Sequence, residues 1–360
     1  MLTIFLCGDV MLGRAVDQIF QFKTDPRLYE TVNNDAKQYL PLKMLRYAKK
    51  NHYVGYDYIW GPLLKSPFYT NADLKIINLE TSITHSQKPE LKAVLYKMHP
   101  QNIETIKVAN IDYCNMANNH VKDWGLDGLL ETLNILKKNK INYGGIGKNL
   151  FEAQQPTCFH INNRKIFIFS IAEPGSGTPL EWKATHQNPG VNMIDIDDLT
   201  QILKFVDLIK KTTNNDDFII VSIHWGSNWG WTIEDKYRNF AHHLIDYANV
   251  DLIHGHSSHH FRPIEMYKNK LIFYGCGDLI NDYETINNPI HEQFKPHISL
   301  TYYPTYNNDK QIVKLIIIPF TIKNLQLTYL QPSEQTKVID LLNKICQNYG
   351  LSFTPTPEEK

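Results

Sequence analysis

Residues 250–260 read Val-Asp-Leu-Ile-His-Gly-His-Ser-Ser-His-His. The stretch opens as a short apolar strand over 250–254 and closes on a polar turn dense in imidazole. A short run rich in Val, Leu and Ile, here Val250, Leu252 and Ile253, suits a strand buried on both faces, the kind found in α/β sheets. Gly255 permits a tight turn, after which His256 and His259 can converge on one centre. His254 and His260 flank that pair. The chain holds fifteen histidines, and four of them fall in these last seven residues. The fold is therefore to be read from strands that end in metal-competent side chains.

The same grammar recurs along the chain. Apolar runs at 3–7, 74–79, 111–116, 165–171, 218–223 and 271–274 predict further strands. Between them lie helical periods. Leu129, Leu130, Leu133 and Leu136 share one face of 126–138. Asp198 caps a helix carrying Ile202, Phe205, Val206 and Ile209, and 234–248 carries Tyr237, Phe240, Leu244 and Ile245. Strands alternating with helices imply an α/β fold with a mainly parallel sheet. The runs 298–303, 311–319 and 321–329 have little helix between them and predict antiparallel additions, so the sheets are mixed. A helix starting at Ser333 is expected to stop at Gly350, with a frayed tail over 354–360. Residues 20–62 fit no clean period and read as an insertion or lid. One large domain over 1–330 is expected, followed by the helix and tail at 331–360.

Successive strands end in Asp9, in Asn78-Leu79-Glu80, in Asn118-Asn119-His120 with Asp123 beyond, in His224, in His256 and His259, and in Asp278. Singly, each has an ordinary explanation as a cap, a turn or a core histidine. Together they mark one place, because α/β sheets bind ligands outside the carboxyl ends of their strands. Carboxylate, carboxamide and imidazole without thiolate suit Mn²⁺, Fe or Zn²⁺. Oxygen-rich sites of this kind often hold two divalent ions about 3.5–4 Å apart, which activate water and clamp a phosphoryl group.

Composition removes several function classes. Lys+Arg and Asp+Glu both total 37. That balance argues against a general grip on nucleic acid but leaves a local basic patch open. The five cysteines are scattered and form no Cys-x-x-Cys, so buried free thiols in a reducing compartment are expected. With neither a signal-peptide core nor an 18-residue apolar run, a soluble, cytoplasmic chain without a membrane anchor is expected. Gly147-Lys148 fails as a phosphate loop, since Asn142 and Asn149 stand where Gly and Ser/Thr are needed. No Gly-x-Ser-x-Gly elbow is present.

The blocks Gly-Asp-Val-Met-Leu-Gly-Arg (8–14), Asn-Leu-Glu-Thr (78–81), Ala-Asn-Asn-His (117–120), Gly-Ile-Gly-Lys-Asn (145–149), His-Trp-Gly (224–226), Gly-His-Ser-Ser-His (255–259) and Tyr-Gly-Cys-Gly-Asp (274–278) resemble the CapA family of bacterial capsule or poly-γ-glutamate biosynthesis proteins. That family looks like a branch of the calcineurin-like metallophosphoesterases. The resemblance implies a four-layer α/β/β/α sandwich with a two-metal site, Mn²⁺ foremost. It implies Asp9, Glu80, Asn119, His224, His256 and His259 as ligands, with Glu80 bridging and His120 as the general acid. Arg14 and Asn118 are expected to touch substrate. Asp278, His254 and Asp123 are expected to stand behind the ligands and orient them. Two departures stand out: Met11 replaces the histidine of Asp-x-His, and Asp278 replaces a usual asparagine. The function implied is phosphoester hydrolysis by a metal-activated water, on a small phosphorylated substrate or a polymer. A non-catalytic accessory or scaffold role in poly-γ-glutamate synthesis or export, and a metal hydrolase acting on another bond such as a γ-glutamyl amide, remain open.

Overall fold

The strands of the two large sheets in the computed structural model, which describes residues 1–286 and 288–355, are β1 (Leu2–Val10), β2 (Leu74–Leu79), β3 (Tyr113–Asn115), β4 (Asn142–Gly144), β5 (Thr157–Ile161), β6 (Arg164–Ala172), β7 (Phe218–His224), β8 (Leu252–His256), β9 (Ile264–Tyr267), β10 (Lys270–Phe273), β11 (Asp278–Ile280), β12 (Ile298–Tyr306), β13 (Ile312–Lys323) and β14 (Gln326–Tyr329). The principal helices are α1 (Arg14–Gln18), α2 (Leu42–Lys49), α3 (Gly125–Lys138), α4 (Leu199–Thr212), α5 (Asp235–Ala248) and α6 (Pro332–Cys346). The tail expected at 354–360 lies outside the described residues from 356 on.

Two mixed sheets stack face to face. The first has the order β14-β13-β12-β1-β2-β3-β4, with β11 beside the carboxyl end of β1. The second runs β9-β10-β8-β7-β6-β5. Strand alternation explains why the apolar runs are continuous. Ile4, Leu6, Leu74 and Ile76 face Ile168, Phe218, Ile220 and Leu252 in the core between the sheets. Their neighbours Phe5, Cys7, Ile77 and Leu79 join Leu129, Leu133 and Leu136 of α3 in one outer core. Ile219, Val221 and Ile223 meet Phe205, Ile209, Phe240 and Leu244 in the other. Both faces of each central strand are buried, which gives the α/β/β/α layering. Each fully buried isoleucine contributes roughly 1.5–3 kcal/mol.

Local signals set the helix ends. Asp198 accepts from Thr200 N at 2.8 Å and caps α4. Asn249 closes α5 in the left-handed region at φ 53°. Helix α6 stops at Cys346, short of Gly350. Cys346 Sγ accepts from Ile264 N at 3.3 Å and Tyr349 O from Met266 N at 2.8 Å, so the chain turns early to satisfy the open edge of β9. The break expected near residue 320 is also displaced. β13 continues through Pro319 to Lys323, and the turn is Asn324-Leu325, with φ of 54° and 59°. Pro319 is tolerated because pairing with β14 begins only at Phe320.

The 20–62 segment packs Tyr39, Leu40, Met44, Ile59 and Trp60 into the outer core beside the first sheet. Nearby, Lys97 is buried with its Nζ 3.4 Å from the Trp124 ring centroid and 3.0 Å from Ser86 O. Burial pushes its ammonium down to about 8. Between pH 8 and the unfolded value of about 10.4, the folded chain holds fewer protons than the unfolded one, so stability rises with pH there. Lys97→Met is expected to raise stability at pH 7 by roughly 1–2 kcal/mol, after allowance for solvent screening, and to flatten that rise. Urea denaturation at pH 7, 8.5 and 10 checks both.

Candidate metal centre

Strand register builds the centre. Parallel pairing sets Asp9 at the end of β1 level with Asn78 on one side and Asp278 of β11 on the other. The approach is close: a Cβ on Gly8 would lie 1.6 Å from Gly277 O. In the second sheet, β7 and β8 pair His224 with His256, leaving their Nδ1 atoms 2.9 Å apart. Gly255 is required here, since a Cβ would meet Phe273 O at 2.2 Å and Trp225 Nε1 at 2.6 Å.

Two donor triads result. Asp9, His224 and His256 each present one ligand atom within 4.8 Å of the others, and so do Asp9, His259 and Asp278. Asn119 Oδ1 lies 3.2 Å from His224 Nε2, and Glu80 Oε1 lies 3.7 Å from the same nitrogen. Asp9 Oδ1 accepts from Asn78 Nδ2 at 2.7 Å, while its buried Oδ2 has no hydrogen-bond partner among the described residues. An orphaned carboxylate oxygen between two imidazole groups fits a cation, since a buried unpaired acceptor is otherwise costly. The donor set is hard oxygen plus imidazole, without sulfur, as divalent Mn, Fe or Zn prefer.

Electrostatics agree with that fit. Burial first, then the Asp278 charge, raises Asp9 well above the usual carboxylate range. Burial, then Asp9 and Asp278, does the same to Glu80. Burial drives His224 and His256 far down, leaving both neutral and able to ligate. Burial also opposes charge on His259, but Asp278 at 3.1 Å outweighs it and raises that imidazole. Dications would relieve this crowding of acids.

The expected ligands thus gather in one place, with differences in role. Asp9, rather than Glu80, is the carboxylate common to both triads. Asp278 reaches the centre itself as well as touching His259. Met11 points away into the outer core, where its Sδ accepts from Gly13 N at 3.1 Å. Arg14 was expected to present its fork to substrate, yet Asp282 and Glu30 occupy it and the Tyr39 ring lies 4.0 Å from Cζ. Asn118 was expected at the substrate too, but its side chain is spent on Leu79 O (2.9 Å), Asn78 Oδ1 (3.2 Å) and His120 N (3.1 Å).

Behind the ligands, His254 Nε2 meets Cys7 O at 2.6 Å and its Nδ1 meets Ser222 Oγ at 3.0 Å. Ser222 Oγ also lies 3.1 Å from His256 Nε2. Asp123 holds His120 Nδ1 at 2.6 Å, and Tyr96 stacks on His120 with centroids 3.9 Å apart. Lys92 ties the Asn119 carbonyl to Asp123 Oδ1, the latter at 2.6 Å. Burial, partly offset by Asp123, pushes His120 down to about 4. That lowering favours the neutral imidazole in the metal-free chain, whereas a general acid donates from the imidazolium. Sequence reasoning passed over Asn78, Ser222, Tyr96 and Lys92. Asn78 stood in a quoted block, whereas Lys92 comes from an irregular segment with no pattern to mark it. The centre meets solvent beside His259 and Lys92, whose side chains are 11% and 17% exposed.

A family model described as "Bacterial capsule synthesis protein PGA_cap" matches residues 3–283. A "Probable polyglutamine synthesis accessory protein" of Mycobacterium tuberculosis is 34% identical over 365 residues, covering 99% of this chain and 94% of that protein. The "PGA biosynthesis protein CapA" of Bacillus subtilis is 24% identical over 285 residues, 78% of this chain and 63% of that one. Among solved structures, the 5'-nucleotidase precursor of Thermus thermophilus aligns with 95% of this chain and 58% of its own, at 11% identity and a TM-score of 0.45.

Proposed function

Because the chain belongs to the bacterial capsule synthesis protein family, we propose that it serves poly-γ-glutamate production as a metal-dependent phosphoesterase. The observation that supports this most is the pair of donor triads sharing Asp9, whose buried Oδ2 is otherwise unpartnered. Asp9, His224 and His256 would hold one divalent ion, with Asn119 in reach, and Asp9, His259 and Asp278 the second. Bound there, Mn²⁺ or a similar ion would supply Lewis-acid activation of water and neutralise phosphoryl charge.

The chain's own groups do the rest. Asp123 fixes His120 through Nδ1, so Nε2 is the atom that handles a proton. In the free protein Nε2 is bare at pH 7. An anionic substrate beside it favours the imidazolium, which then protonates the departing oxygen. Lys92 keeps Asp123 and the Asn119 peptide in place. Tyr96 covers one face of the ring and limits water there.

A second reading is a non-catalytic accessory role, which the name of the mycobacterial relative favours. Hydrolysis of p-nitrophenyl phosphate and bis-p-nitrophenyl phosphate with added Mn²⁺, alongside metal analysis, separates the two. His120→Ala is expected to keep its metal and lose about 10²-fold in kcat, whereas His224→Ala loses metal as well. Absence of bound metal under every loading condition would sink the phosphoesterase reading. Bound metal without hydrolysis of either ester would favour the accessory one.

A further inference from the structure

Net charge is zero over the whole chain, yet residues 36–56 contain Lys37, Lys43, Arg46, Lys49 and Lys50 and no acid. Asp35 and Asp57 bracket the stretch. Helix α2 occupies its centre. Met44 is buried and Leu45 and Ala48 pack against the outer core, which fixes the helix's orientation. Lys43, Arg46, Lys49 and Lys50 all face solvent. Among the described residues, none of these cations forms an ion pair. The helix dipole favours Arg46 and Lys49 in the last turn but disfavours Lys43 in the first, so capping does not explain the cluster. Leu42 and Tyr47 are exposed on the helix beside these cations, and Tyr53 is exposed just beyond its end. Leu42 is 73% exposed, Tyr47 43% and Tyr53 57%.

We propose that the outer face of α2, continued to Tyr53, docks on an anionic lipid bilayer. Unpaired cations complement acidic headgroups, each roughly fivefold in binding. Leucine and tyrosine beside them gain only if the partner has an apolar interior to receive them. A hydrated acidic polymer offers the charge but no such interior, so the exposed Leu42 favours the bilayer.

The test is co-sedimentation of the full chain with vesicles of phosphatidylcholine alone or mixed with phosphatidylglycerol. The parent is expected to sediment only with the mixed vesicles, and less at high salt. The pair Lys43→Glu with Arg46→Glu should lower partitioning at least about tenfold. Leu42→Ser with Tyr53→Ser should lower it severalfold at unchanged charge. All four sites are exposed, and an unchanged thermal transition shows that each variant folds. Equal binding to both vesicle types, or insensitivity to either double variant, would overturn the proposal. So would binding of soluble polyglutamate through the same cations with no sedimentation on vesicles.

Discussion

Asp9→Asn is expected to abolish retention of both metals and to lower phosphoester hydrolysis about a thousandfold or more, with the fold intact. Asp9 is the single side chain present in both triads, so one substitution weakens both centres at once. The asparagine keeps the shape and one oxygen but loses the charge that draws a dication. It also removes repulsion, because Asp9 stands level with Asp278 in adjacent parallel strands. The metal-free variant should therefore be at least as stable as the metal-free parent. Metal analysis, ester hydrolysis and thermal melting with and without chelator give the three readouts. A variant that kept both metals and full turnover would end the assignment.

Gly8→Ala is expected to cost at least about 3 kcal/mol and to lose metal with it. The new Cβ would stand 1.6 Å from Gly277 O and 2.7 Å from Gly277 C. Both are backbone atoms, so no rotamer change relieves the clash, and β11 has to move. That movement breaks the 2.9 Å bond from Asp9 N to Gly277 O and carries Asp278 away from Asp9. Gly55→Ala is the control. Its nearest neighbour would be the flexible Asp57 side chain, which can swing aside, so a small change is expected. Urea denaturation of the two variants checks the contrast, and near-equal stabilities would refute the reasoning.

The parts of this architecture visible in the sequence were those written in local pattern. Strands buried on both faces announce themselves as unbroken apolar runs, as at Phe218–Val221. Asp198 announces a helix start. Candidate ligands at strand ends follow from where α/β sheets present their loops. The parts that stayed hidden depend on register between distant segments. Asp278 was expected behind a histidine, but it reaches the centre itself because β11 pairs with β1 across some 270 residues, and no local pattern encodes that pairing. Arg14 looked available because its partners, Glu30 and Asp282, lie 16 and 268 residues away. Met11 sits two residues past Asp9, but the register irregularity after Asp9 and the bond to Gly13 turn it into the core. Pro319 looked like a strand end because the sequence does not show that pairing on one side had not yet begun.

The contacts behind His256 fix more than its position. Burial pushes His254 down to about 4, so at neutral pH its ring carries one N–H. Cys7 O can only accept, so that proton is on Nε2. Nδ1 of His254 must then accept from the Ser222 hydroxyl. With its own proton committed there, Ser222 Oγ can only accept from His256 Nε2. The proton of neutral His256 is thereby held on the far nitrogen, and its Nδ1 lone pair is left free 2.9 Å from His224 Nδ1 and 3.9 Å from Asp9 Oδ1. A carbonyl in the first sheet thus selects, through two intervening groups, the tautomer of an imidazole in the second.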